Sequence, residues 1–257
     1  MLSRLRRYRT LQTLRHHGLP DHLWRKLRKN LYLLRTLGNR EAVELRKLTT
    51  LLLHEKAIHG VRGLEMTLEM RAVIASQACL MILELDFGSF KGWKELIVYP
   101  GAFKVKRTVT DEYGIAHEQA SALSGESWQD GPLILSWDDV ERDSYKRHPG
   151  SHVIIHEFAH KLDALNGRVN GMPPLHPAMP IEKWSETLGA AYEHLQQQLL
   201  RGGQSINPYA ATSPAEFFAV LSEYFFTAPA ILKRYCDEVY KQLAAYYRQD
   251  PLSRTAP

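Results

Sequence analysis

The sequence predicts an α+β fold that is mainly helical, with a small sheet beside one central helix. Residues 23–85 and residues beyond 150 repeat their apolar side chains at helical spacing. Between them, residues 95–137 hold two short β-like runs, Leu96-Ile97-Val98-Tyr99 and Leu133-Ile134-Leu135-Ser136-Trp137, bounded by Pro100-Gly101 and Gly131-Pro132. The central helix, residues 151–165, has Gly150-Ser151 as a cap and Asn166-Gly167 as a stop.

The first region carries the charge. The 257-residue chain has a net charge of +5, but residues 1–48 contain 13 Lys or Arg against 3 Asp or Glu. That stretch is +10 and the remainder −5. No nucleic-acid-binding motif is legible in it, so it reads as a solvated, partly helical basic arm, residues 1–50, and direct nucleic-acid binding is not expected. Residues 51–257 read as one domain: a helical part at 51–90, the small sheet at 95–137, and helices at 151–250. Gly38-Asn39 and Gly60 to Gly63 interrupt the first helical stretch, and His54 and His59 within it are spaced by five. On a helix that places them about 140° apart, too far round to share a metal.

Ser76, Gln77 and Glu84 break the longest apolar run, so no membrane-spanning segment is expected. The N-terminus lacks the apolar core of a secretory signal, and Cys79 and Cys236 have no paired spacing. A cytoplasmic protein with reduced, structural cysteines is the expectation.

The central helix carries His156-Glu157-Phe158-Ala159-His160. At about 100° per residue, His160 falls near 40° from His156, Asp163 near −20° and His152 near −40°, while Ile154, Phe158 and Leu162 occupy the opposite side. Two imidazoles one turn apart can aim at one point about 2.0–2.1 Å from each, the distance zinc requires. Glu157 lies about 100° round, where a general base reaches a bound water without displacing it. Asp163 is a candidate to orient a histidine from behind, and also fits an exposed acid at a helix end.

A catalytic zinc needs a third protein ligand. No third histidine follows at short spacing, so a carboxylate from the apolar helix of residues 214–226 is the natural source. Glu216 and Glu223 are its charged residues and share a face. Glu216 also completes a capping box, Ser213-Pro214-Ala215-Glu216, and local pattern leaves the choice open.

The stretch Tyr209-Ala210-Ala211-Thr212-Ser213-Pro214-Ala215-Glu216-Phe217-Phe218-Ala219, with His156-Glu157-Phe158-Ala159-His160-Lys161-Leu162-Asp163, resembles the Mlc titration factor A family of bacterial zinc peptidases, gluzincins related to the protease domain of anthrax lethal factor. The likeness is best over about residues 95–251 and weaker over the first 50. It implies a zincin-like metallopeptidase holding one zinc ion with His156, His160 and Glu216. It places Tyr209 at the site, where it suits an oxyanion donor, and leaves Glu223 to a supporting position. It further implies aminopeptidase activity on peptides and binding of the transcriptional repressor Mlc, which controls glucose phosphotransferase genes. A repressor-sequestering protein with a structural zinc is the alternative. Since every candidate group lies after residue 150, the basic arm reads as dispensable for the chemistry. The edge of residues 133–137 is a candidate place for an extended peptide to pair.

Overall fold

The structure is a computed structural model that describes residues 2–101, 107–110, 116–119, 131–203 and 206–254. The remainder of the expected sheet region, 102–106, 111–115 and 120–130, lies outside the described residues. Helices α1 (Leu2–His16), α2 (Asp21–Asn30), α3 (Tyr32–Arg35), α4 (Asn39–Glu55) and α5 (Leu68–Met81) precede the sheet region. Then follow α6 (Trp137–Tyr145), α7 (Val153–Asp163), α8 (Ile181–Leu200), α9 (Pro214–Thr227), α10 (Pro229–Tyr235) and α11 (Asp237–Tyr247). Strands β1 (Ala57–Gly60), β2 (Glu95–Tyr99) and β5 (Leu133–Ser136) form a parallel sheet in the order β1-β2-β5, and β3 (Arg107–Thr110) pairs antiparallel with β4 (Ala116–Gln119). The fold is thus the mainly helical α+β arrangement expected, with β5 next to α7.

Strand β1 falls inside the stretch expected to be helical. Lys56 leaves α4 in extended conformation, and Ala57 to Gly60 pair with Glu95 to Val98. His54 therefore ends a helix while His59 sits on a strand, and the helical angle between them does not apply. Trp137 opens α6 and does not extend β5: the Ser136 side chain accepts from the Asp139 amide and caps the helix at that point.

The basic stretch is also not a free arm up to residue 50. Leu23, Trp24, Leu27, Leu31, Leu34 and Leu45 are buried in the same core as α7 and α9. Its arginines tie down helix ends: Arg35 Nε donates to Lys29 O at 2.8 Å and Arg28 Nη2 to Leu37 O at 3.0 Å, where carbonyls lack intrahelical partners. A chain shortened by 48 residues would lose this packing, so dispensability does not extend to residues 19–48. Leu27, 1% exposed, supplies a direct test. Leu27→Ala should lower unfolding stability by about 2–5 kcal/mol in urea titration, against the few tenths expected of a surface site.

Helix α7 lies between α5 and α9. Phe158 seats its inner face, with its ring 5.1 Å from Phe90 and 5.6 Å from Trp93. Helix α9 is buried from Ala215 to Thr227 and packs Phe218 against Trp184, Phe217 against Tyr192 and Phe225 against Tyr247. With apolar contacts fixing both helices, the polar residues between them have little freedom to move. Among the described residues, no helix is long and apolar enough to cross a membrane.

Candidate metal centre

The site is built where the N-terminal part of α9 packs against the middle of α7. Helix α7 begins at Val153, two residues later than the cap at Gly150-Ser151 predicts, because His152 takes the N-cap position in extended backbone. Its ring consequently leaves the face that a continued helix would give it and is fully buried behind the site. Carboxylates satisfy the first amides: Asp143 Oδ2 accepts from Val153 N at 2.9 Å, and Glu223 accepts from the His152 amide. Negative groups at this end also suit the helix dipole.

Helix α9 starts with Pro214 after Ser213, whose hydroxyl accepts from Glu216 N at 3.2 Å. The capping residue of the predicted box is therefore in use, but the Glu216 carboxylate turns toward the histidines. Glu216 Oε2 is 3.0 Å from His156 Nε2 and 3.4 Å from His160 Nε2, and the two Nε2 atoms are 3.2 Å apart. A tetrahedral ion with ligands at 2.0–2.1 Å separates them by about 3.3–3.4 Å. Three donors of the borderline-soft N,N,O type, spaced that way and mostly buried, fit a divalent transition metal such as zinc.

Electrostatics favour the same trio. Burial pushes the Glu216 carboxyl up, but hydrogen bonds from His156 and His160 outweigh it and hold its pKa at about 2. Burial likewise pulls His156 down, while its bonds to Glu216 and Glu223 prevail and raise it to about 10. These bonds favour a proton on His156 that a metal would have to displace, so metal affinity should rise with pH.

Glu157 stands beside the trio. Burial raises its pKa, against the lowering influence of His156 and His160, and its Oε2 has no hydrogen-bond partner among the described residues. Tyr209 is 38% exposed on a short 3-10 turn, Pro208–Ala211, with its ring 6.0 Å from that of His156. Burial and then the hydrogen-bonded Glu216 carboxylate push its hydroxyl up to about 12, so it remains a proton donor at neutral pH. Asn207 Oδ1 caps the turn by accepting from Tyr209 N at 3.0 Å, Tyr224 Oη accepts from Asn207 N at 3.2 Å, and Tyr192 Oη donates to Ala211 O at 3.0 Å. Sequence reasoning passed over these three, because their partners are backbone atoms of a turn that no local pattern announces.

Glu223 lies behind the trio, its Oε1 2.8 Å from His156 Nδ1. Asp163 is fully buried, which excludes the exposed helix-end acid. Its Oδ2 accepts from Gly171 N at 2.7 Å, bracing the loop that follows α7. Gly171 has φ +79°, and a Cβ there would stand 2.4 Å from Pro214 O, two residues before Glu216. Trp184 Nε1 donates to Gly171 O at 3.2 Å from the other side. Gly171→Ala should therefore cost about 3 kcal/mol through left-handed strain and the clash. Displacement of Pro214 should also weaken metal binding; unchanged stability and metal affinity, by denaturant titration and chelator competition, would contradict this role.

A motif helix with a glutamate beside two histidines, completed by a carboxylate from a second helix, defines a metallopeptidase. The chain matches the family described as Glucose-regulated metallo-peptidase M90 over residues 3–248, and it belongs to that family. It is 40% identical over 226 residues to Mlc titration factor A of Serratia proteamaculans (strain 568), covering 86% of this chain and 85% of that protein. The protein of the same name from Klebsiella pneumoniae (strain 342) is 40% identical over 225 residues, covering 85% and 84%. That of Yersinia pestis (strain Pestoides F) is 38% identical over 229 residues, covering 88% and 84%. The match extends well into the basic N-terminal stretch, in keeping with its place in the core.

Proposed function

We propose that the protein is a cytoplasmic, zinc-dependent gluzincin that removes N-terminal residues from peptides and also binds the transcriptional repressor Mlc. The observation that carries the peptidase reading is the convergence of His156, His160 and Glu216 to 3.0–3.4 Å beside the buried Glu157 Oε2, which has no partner among the described residues. Zinc held there would act as a Lewis acid and make a water nucleophilic near neutral pH. Glu157 takes the proton of the attacking water and returns it to the leaving amine, a transfer for which a buried carboxylate of raised basicity is suited. Tyr209 gives its hydroxyl proton to a hydrogen bond with the developing oxyanion. Strand β5 contacts α7 and ends the sheet among the described residues, and its outer edge offers main-chain groups to an extended peptide. Lys161 steadies the start of that strand by donating to Gly131 O at 2.9 Å.

The relatives' name, Mlc titration factor A, supports the repressor as partner, and the cytoplasm is where a repressor is met. The aminopeptidase preference rests on the family resemblance. Metal content measured with hydrolysis of free and N-blocked peptides tests the whole reading: one zinc per chain and cleavage of free N-termini alone are expected. A zinc-loaded protein that cleaves neither would favour the repressor-binding scaffold with a structural zinc. Tyr209→Phe should retain zinc and lower kcat by roughly 100-fold; undiminished turnover would remove Tyr209 from the chemistry.

A further inference from the structure

A line of buried hydrogen bonds runs from the metal trio into the body of the protein. Glu223 holds His156 Nδ1 with one carboxylate oxygen and the His152 amide with the other. The His152 ring, fully buried, places Nε2 2.9 Å from Gln77 Oε1 on α5. Gln77, also fully buried, donates through Nε2 to Val73 O at 3.1 Å and to Ser144 Oγ at 2.7 Å on α6. The Val73 carbonyl can only accept, so it fixes which way the amide faces; the amide oxygen then meets His152, and the His152 proton resides on Nε2. Burial keeps that ring neutral, with a pKa of about 4.

From this arrangement we infer that Gln77 is a positioning residue for the metal ligand His156, acting through His152 and Glu223. A glutamine in the buried, mostly apolar stretch from Ala72 to Met81 would be expensive as mere filling, since its amide needs every partner it has. Two of its three partners come from α6 and from the cap of α7, so Gln77 sets where His152 sits. The His152 amide then sets one oxygen of Glu223, and the other oxygen aims the imidazole. Carboxylate support of this kind fixes the tautomer and direction of a ligating histidine. The chain of contacts extends that support to a residue 75 positions from His152 in sequence.

The inference rests on the proposed metal site, and Co(II) tests it because the visible absorption of bound Co(II) reports ligand geometry independently of turnover. Gln77→Met keeps the side chain's length and removes its hydrogen bonds. It should raise the Co(II) dissociation constant about tenfold and shift the absorption bands, whereas Leu27→Ala, which weakens the core elsewhere, should do neither. In a Glu223→Gln background the same change should add less than about twofold, since both act along one line. A folded Gln77→Met protein with wild-type affinity and spectrum would overturn the inference, as would effects of Gln77→Met and Glu223→Gln that multiply in full. If Gln77→Met fails to fold, Ser144→Ala is read the same way: a roughly threefold weakening is expected, and an unchanged constant overturns the inference. Failure of the unsubstituted protein to bind Co(II) would remove the metal centre itself.

Discussion

Glu157→Gln is expected to leave the bound metal in place and to reduce peptide hydrolysis by roughly 10²–10⁴-fold, the range that a positioned acid–base group supplies. The geometry separates the two properties. His156, His160 and Glu216 converge without help from Glu157, whose Oε2 makes no hydrogen bond among the described residues. Glutamine conserves size and removes only the ability to take a proton, so the fold has no reason to change. Metal content by mass spectrometry and single-turnover hydrolysis should therefore diverge in this variant. Retained turnover in a metal-loaded Glu157→Gln protein would show that another group carries the proton.

Glu216→Ala and Glu223→Ala are expected to differ in kind. Removing Glu216 takes away one of three converging atoms, leaving two histidines, so metal affinity should fall by well over 100-fold. The Ser213 cap remains, because it rests on the Glu216 backbone amide, and loss of stability should stay within about 1 kcal/mol. Glu223→Ala leaves the trio intact and frees His156 Nδ1 and the His152 amide together. Its metal affinity should drop about 10–100-fold, with a stability loss of about 1–3 kcal/mol from the unsatisfied buried amide. Chelator competition alongside urea titration distinguishes the two. Full metal retention in Glu216→Ala with loss in Glu223→Ala would exchange their roles.

The parts of this site that were legible in the sequence are those joined by local spacing. His156, Glu157 and His160 sit on one helix, and a four-residue step by itself puts two imidazoles on one face. Helix α9 was also legible, since an unbroken apolar run with two acids admits few other readings. The choice between those acids is not, because Glu216 and Glu223 share a face and only the packing of α9 on α7 decides which reaches the Nε2 atoms. Family resemblance supplied Glu216 where spacing stopped. His152 departs from its expected face for a local reason: it is the N-cap of α7, and an N-cap residue does not obey the helical repeat.

Strand β1 escaped notice because only Ile58 in it is buried, so no alternation is visible over four residues. It exists because its backbone completes β2. The basic stretch misled through composition. Its charge is real, but Leu23, Leu27, Leu31 and Leu34 recur between the arginines at helical spacing and bury themselves against later helices. Gln77 stands out only as a polar residue within an apolar run, and two of its three partners come from other elements.

Zinc-edge X-ray absorption on the zinc-loaded protein tests the central claim most directly, because it reads the ligand atoms themselves. Two imidazole nitrogens and oxygen donors at about 2.0–2.2 Å are expected, with no sulfur. Loss of one imidazole contribution in His160→Ala, and of neither in Glu223→Ala, should accompany it. A sulfur shell near 2.3 Å, or four protein ligands that leave no open position, would contradict the account and make the zinc structural.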